Sequence, residues 1–323
     1  MAEVLNLVNP NDKLSFKYEI SRFPDGQQSL RLIEEGYNTF QSLRDSDKAH
    51  GIRIYSRLNT FRDLEIVICA TQALKEVGVD NISLYIPYCI GARSDRKFMD
   101  GGINYIKNVI APIINSQGYK KVTILDPHSD VLEACINNFE KKSNTDLVRF
   151  ALEDLTINLW RKTTEDWSHH FWLKHVWSKN QDIVLVSPDA GAFKKIFDVA
   201  KHFGIDKVVT ASKVRNLKTG EILKTEISNL PISTTENEFR YVIVDDICDG
   251  GRTFIELAKA IQEQRPDALI YLIVTHGIFS ANFDYLSEHI EGIYCTNSFK
   301  DIEPGVDCPI FDDESYVKQL NVF

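Results

Sequence analysis

Val242-Ile-Val-Asp-Asp-Ile-Cys-Asp-Gly-Gly-Arg-Thr253 decides the fold. An apolar run ends in two adjacent acids, a glycine turn follows, and Thr253 to Gln264 continues with apolar residues at helical spacing. The stretch reads as a buried β-strand, a tight turn and a helix. Backbone N–H groups at such a turn form an anion site, and paired acids beside it can hold ribose hydroxyls or a metal. Asp and Gly also populate ordinary turns, so a solvated strand-to-helix connection is the competing reading of these residues alone.

Working outward, Ser83–Tyr88, Lys121–Asp126, Asp182–Val186, Lys207–Ala211 and Leu269–Thr275 are further short apolar runs, too short for helices. Between them lie helical patterns such as Arg62–Val77, stopped by Gly78. Strands alternating with helices predict α/β architecture with mostly parallel sheets, whose functional loops lie at the carboxyl ends of the strands. Six successive strand ends carry polar motifs: Pro87 to Lys97, Asp126 to Asp130, Ser187-Pro-Asp-Ala-Gly191, Lys213-Val-Arg215, Asp245 to Thr253, and Thr275-His-Gly277.

The 323 residues, 43% of them hydrophobic, suffice for about two domains at roughly 150 residues each. We expect an N-terminal α/β domain over 1–147 and a C-terminal one over 148–323, the latter with a Trp-rich helical insert at about 155–180 holding Trp160, Trp167, Trp172 and Trp177. The net charge of −9 argues against a broad nucleic-acid face and favours small-molecule partners. No apolar run of membrane-spanning length and no signal-peptide pattern occurs, so a soluble cytoplasmic protein is expected. Six scattered cysteines without a C-x-x-C pair fit a reducing compartment and disfavour a thiolate zinc site.

Together these motifs resemble the ribose-phosphate pyrophosphokinase family. Phe23-Pro-Asp-Gly-Gln27 is similar to its adenine-binding hairpin, Ala92 to Lys97 to its ATP-binding loop, and Asp126-Pro-His128 to its Asp-Leu-His. Ser187 to Gly191, Lys213-Val-Arg215, Asp245 to Thr253 and Thr275-His-Gly277 follow in the family's order. The resemblance implies two phosphoribosyltransferase-type (Rossmann-like) domains related by internal duplication. It implies transfer of the β,γ-diphosphate of Mg²⁺-ATP to the anomeric hydroxyl of a 5-phosphorylated ribose, with AMP released.

By resemblance, Phe23, Asp25, Gln27, Arg93, Ser94, Asp95, Arg96 and His128 would bind ATP, and His128 and Asp189 would hold Mg²⁺. Lys213 and Arg215 would be catalytic, bracing the transferred diphosphate. Asp189, Asp245, Asp246, Asp249, Gly250, Gly251, Arg252 and Thr253 would bind ribose and phosphate. A homo-oligomer, dimer or hexamer, is implied as well. Taken singly, Phe23 also reads as core, Asp126 and Asp189 as helix caps, and Lys213 and Arg215 as a solvated edge.

The family loop usually reads Asp-Thr-x-Gly-Thr, whereas here Gly250 replaces the threonine and Arg252 adds a guanidinium. A larger, more anionic acceptor suits both changes. The resemblance is therefore to the phage-type ADP-ribose pyrophosphokinase branch serving NAD resynthesis (host cytoplasm, if phage-encoded), with ribose 5-phosphate as the alternative acceptor. Gln27, Ser94 and Ala192 are further departures from the family pattern. A non-catalytic nucleotide-binding homologue and a phosphoribosyltransferase that consumes the diphosphate are the rival classes.

Overall fold

Val, Ile and Leu dominate the short runs that become strands, and left-handed glycines such as Gly78 and Gly204 stop several of the helices between them. The computed structural model describes residues 3–163, 182–189, 191–215, 222–227, 230–231, 239–311 and 314–323. They form two units, Met1–Ser143 with Val322–Phe323, and Asn144–Asn321.

In the first unit, β1 (Glu3–Asn6) is followed by the antiparallel hairpin β2 (Lys17–Arg22) and β3 (Gln28–Ile33). Next come α1 (Phe40–Ala49), β4 (Ile52–Tyr55), α2 (Phe61–Glu76) and β5 (Ile82–Tyr85), then α3 (Ala111–Ser116), β6 (Lys121–Leu125), α4 (Asp130–Cys135) and β7 (Phe139–Lys142). The sheet runs β1-β4-β5-β6-β7, parallel throughout. Thr60 caps α2 reciprocally: its hydroxyl accepts from the Asp63 N–H at 3.3 Å, and the Asp63 carboxylate accepts from the Thr60 N–H at 2.7 Å. Gly78, at φ +87°, ends that helix. The strand expected to reach Tyr88 stops at Tyr85, because Pro87 has no N–H to donate.

In the second unit, α5 (Thr145–Thr163), β8 (Ile183–Ser187), α6 (Phe193–Phe203), β9 (Val208–Arg215) and β10 (Ile222–Ile227) precede β11 (Arg240–Cys248). Then follow α7 (Arg252–Gln264), β12 (Leu269–Gly277), α8 (Asp284–Ser287), β13 (Gly292–Thr296), β14 (Ile310–Phe311), β15 (Glu314–Ser315) and β16 (Val317–Leu320). The seven-stranded sheet runs β10-β9-β8-β11-β12-β13-β16, antiparallel only between β10 and β9. Both faces are covered, as a parallel sheet requires. Tyr241 and Ile243 of β11 join a cluster with Phe254, Leu257 and Ile261 of α7, while Val242 and Val244 join Val148, Leu152 and Ile196 of α5 and α6. Each such large side chain contributes about 1.5–3 kcal/mol by leaving water.

Leu147, Val148, Ala151, Leu152 and Leu155 are core residues of α5, a sheet-covering helix that leads into the expected insert at about 155–180. Trp160 falls within α5, whereas Trp167, Trp172 and Trp177 lie outside the described residues.

Strand order places the site of the second unit. From β8 the chain moves outward to β9 and β10, then returns on the other side of β8 to form β11. Open α/β sheets bind ligands in the crevice beyond the carboxyl ends of the strands where the order reverses. Here that seam lies between Ser187 and Asp245, at the ends of β8 and β11.

Candidate active site

Asp245 and Asp246 end the apolar run of β11, Asp246 buried and Asp245 half-buried. The Asp245 carboxylate accepts the Asp246 N–H at 2.9 Å. Burial, then the charges of Asp246 and, more weakly, Asp189, hold the Asp245 carboxyl well above the usual carboxylate range. Lys195, from the first turn of α6, brings its ammonium to 3.7 Å from the Asp246 carboxylate.

Asp189 follows β8, and its Oδ1 accepts the Gly191 and Ala192 N–H groups at 3.0 and 3.1 Å, an Asx-type turn ahead of α6, whose own N-cap is Ala192 without a side-chain cap. The Ser187 hydroxyl donates to the Asp189 carbonyl at 2.8 Å, tightening the turn. Ala192 has an ordinary φ of −79°, which explains why alanine stands where the family pattern has a second glycine.

Beyond the acids, Gly251 occupies the N-cap of α7 at φ +79°, with no side-chain cap and no acid in the first turn. Arg252 and Thr253 open the helix, Arg252 exposed. A guanidinium beside the positive end of the helix dipole makes this terminus receptive to anions. A β-carbon added at Gly250 would find Ser280 Oγ as nearest neighbour, at 3.7 Å, whereas one at Gly251 would press on three Leu286 carbons at 3.0–3.1 Å. Asp249 accepts the Ser280 hydroxyl at 2.6 Å. Lys213 and Arg215 lie at the carboxyl end of β9, in register with Thr225 and Ile222 of β10, beyond the Val208–Thr210 stretch that pairs with β8.

Thr275-His-Gly277 is architectural. His276 is buried with Nδ1 2.8 Å from Ser298 Oγ, and the Thr275 carbonyl accepts the Thr296 and Ser298 hydroxyls.

The first unit has its own carboxyl-end residues. Phe23 to Gln27 turn the hairpin: the Phe23 N–H donates to the Gln27 carbonyl at 2.9 Å, Asp25 accepts the Gln27 N–H at 3.1 Å, and Gly26 sits at φ +96°. Phe23 is 49% exposed at this tip, which sets aside its reading as core. Glu65 on α2 anchors the hairpin through the Gln28 N–H and side-chain amide, both at 3.1 Å.

Arg93 and Arg96 are exposed, and the Arg96 guanidinium lies 5.2 Å from the Phe98 ring centroid. Ser94 and Asp95 are half-buried, their carbonyls accepting the Tyr105 N–H and the Asn104 amide. Asp126, buried at φ +41°, turns the chain out of β6 so that His128 stands exposed before α4. A non-glycine residue in this conformation is strained, and such strain concentrates at functional sites.

Sequence reasoning missed Lys195, Glu65 and Ser280. Lys195 had left a signal: lysines in the first turn of a helix oppose its dipole, which points to a nearby anion. Burial pushes the Cys89 and Cys295 thiols up to about 12, which makes both poor nucleophiles.

For Mg²⁺ the oxygen donors have the right chemistry, and the crowded charge of Asp245 and Asp246 would be relieved by a cation. Among the described residues, no cluster of three or more His, Cys, Asp or Glu side chains is arranged to hold a metal alone. This fits an ion bound mainly through substrate phosphates and water, as Mg²⁺ commonly is. Among the described residues, no helix is long and apolar enough to cross a membrane.

Parallel sheets, an acid pair at the strand reversal and a glycine turn before α7 define a two-domain α/β protein of phosphoribosyltransferase type. The chain is 27% identical over 291 residues to a ribose-phosphate pyrophosphokinase of Thermosipho africanus, covering 87% of this chain and 77% of that one. It is 23% identical over 282 residues to that of Thermococcus kodakarensis, covering 87% and 85%. The crystal structure of phosphoribosylpyrophosphate synthetase from Mycobacterium smegmatis superposes with a TM-score of 0.65 at 17% identity, over 95% of this chain and 86% of that one, a likeness of fold. No family model matches the chain. In sequence the chain is thus similar to ribose-phosphate pyrophosphokinases, diphosphotransferases by name, and in fold to phosphoribosylpyrophosphate synthetase.

Proposed function

We propose that the chain is a Mg²⁺-ATP-dependent pyrophosphokinase acting on ribose 5-phosphate. The anomeric hydroxyl oxygen attacks the β-phosphorus of ATP and loses its proton, the bond from that phosphorus to the α,β-bridging oxygen breaks, and AMP leaves with that oxygen. The observation carrying this reading is the acid pair Asp245-Asp246 beside the uncapped, arginine-bearing start of α7 at the strand reversal. Acids there suit ribose hydroxyls, and the helix start suits a 5-phosphate. The names of the relatives support ribose 5-phosphate over the ADP-ribose that the loop substitutions suggested.

In this proposal Asp245 and Asp246 hold the ribose hydroxyls, and Asp249, Gly250, Gly251, Arg252 and Thr253 surround the 5-phosphate. Lys213 and Arg215 brace the transferred diphosphate, whose charge must be met by cations. Phe23, Asp25, Gln27, Arg93, Ser94, Asp95, Arg96 and His128 hold ATP. Mg²⁺ bound chiefly through phosphate oxygens, with His128 of the first unit and Asp189 of the second each a proposed ligand, would neutralise triphosphate charge. A cytoplasmic homo-oligomer completes the proposal.

The open surroundings of Gly250 and the exposed Arg252 favour a second reading, ADP-ribose as acceptor. One experiment decides: AMP release from Mg²⁺-ATP with ribose 5-phosphate and ADP-ribose in parallel, with product masses read directly. A 1-diphosphate of ribose 5-phosphate supports the main reading, and one of ADP-ribose alone replaces it. AMP release with neither acceptor defeats both.

A further inference from the structure

The anion-binding loop contains its own anion. Asp249 opens the stretch proposed to take the 5-phosphate, and a carboxylate free to swing toward that phosphate would repel it. The structure ties it elsewhere: the Ser280 hydroxyl donates to Asp249 Oδ1 at 2.6 Å, and the Ser280 N–H donates to the Asp249 carbonyl at 3.3 Å. Ser280 stands 31 residues further along, just beyond β12.

Its own turn is built to stay in place. The Cys248 carbonyl accepts N–H groups from Ile278 at 2.9 Å and Phe279 at 3.2 Å, bonding the turn to the end of β11. Phe279 is held at φ +44°, unfavourable for a bulky residue. Its ring covers Gly277, where an added β-carbon would lie 2.1 Å from it, and packs 4.9 Å from Phe283, which in turn meets Tyr316 at 5.9 Å. Strain of this kind persists only where packing over-determines it.

We infer that Ser280 is a positioning residue: from this strained turn it holds the Asp249 carboxylate in one orientation and so presets the 249–253 loop for the acceptor's phosphate. The inference rests on the proposed acceptor site, yet part of its test does not depend on the reaction. Ser280→Ala is expected to raise KM for the acceptor about three- to tenfold, the scale of one ordinary hydrogen bond lost from an exposed, solvent-screened carboxylate. kcat and KM for ATP stay within twofold, and Ser280→Thr restores the acceptor KM. In combination with Asp249→Asn, Ser280→Ala adds nothing further.

Independently of turnover, amide hydrogen exchange over 250–253 is expected to quicken in Ser280→Ala, and inorganic phosphate to protect those amides less than in the parent protein. Unchanged exchange and phosphate protection would overturn the inference even in a protein inactive on every acceptor. Additive effects of Ser280→Ala and Asp249→Asn would also overturn it. Loss of AMP release in the parent protein, with exchange responding as described, would defeat the proposed function alone.

Discussion

The Lys195 ammonium lies 3.7 Å from the carboxylate of Asp246, a buried acid whose charge, with burial, holds the neighbouring Asp245 carboxyl above the usual range. Lys195→Met keeps much of the side-chain volume and removes the charge. We expect kcat/KM for the acceptor to fall about tenfold, on the order of 1–2 kcal/mol for a partly screened charge pair, and Lys195→Arg to recover most of it. Steady-state kinetics check this, and an unaltered Lys195→Met would mean the pair is incidental.

Asp245 makes stability depend on pH in a definite direction. Its carboxyl titrates above the ordinary 3.8 in the folded protein, so the native state retains a proton that the unfolded chain has released. The favourable contribution is complete below 3.8 and disappears as pH rises through the folded value. Asp245→Asn can still accept the Asp246 N–H and has no proton to lose. It should melt about 1–3 °C higher than the parent at pH 8, with the gap closing toward pH 4, while acceptor turnover is lost. A gap of constant size in thermal melts across that range would contradict the assignment.

Two adjacent glycines should behave differently. Gly251→Ala places a β-carbon on a left-handed backbone and against Leu286, which should cost more than about 1 kcal/mol. Gly250→Ala meets only ordinary contact with Ser280 Oγ at 3.7 Å and should melt close to the parent. Equal melting temperatures for the two variants would refute the backbone argument.

Acceptor choice is tested by restoring the family loop. Gly250→Thr with Arg252→Gly should raise the ratio of kcat/KM for ribose 5-phosphate over ADP-ribose. If that ratio does not move, the loop substitutions have no part in selectivity.

The second sheet was largely legible because its strands are apolar on both faces: Val242 to Val244 and Leu272 to Val274 read as buried runs without further context. β7, Phe139-Glu-Lys-Lys142, was invisible, since its pairing with β6 depends on the register of Val122 to Leu125 and its side chains are mostly exposed. The acids and glycines of the site declared themselves through spacing along one strand and turn. Ser280 and Glu65 did not, because each acts on a residue more than thirty positions away, and such partnerships exist only once the sheet is assembled.

The uncapped start of α7 has an evolutionary consequence. Backbone N–H groups there attract an anion whatever side chains surround them, while Gly250 and Arg252 face open surroundings and bear no load in either core cluster. On the proposed acceptor site, substitutions at these two positions would redraw which phosphorylated sugar is accepted without disturbing the strands that carry the acids. Reaction and preference would then be separable heritable traits, the second free to drift one codon at a time.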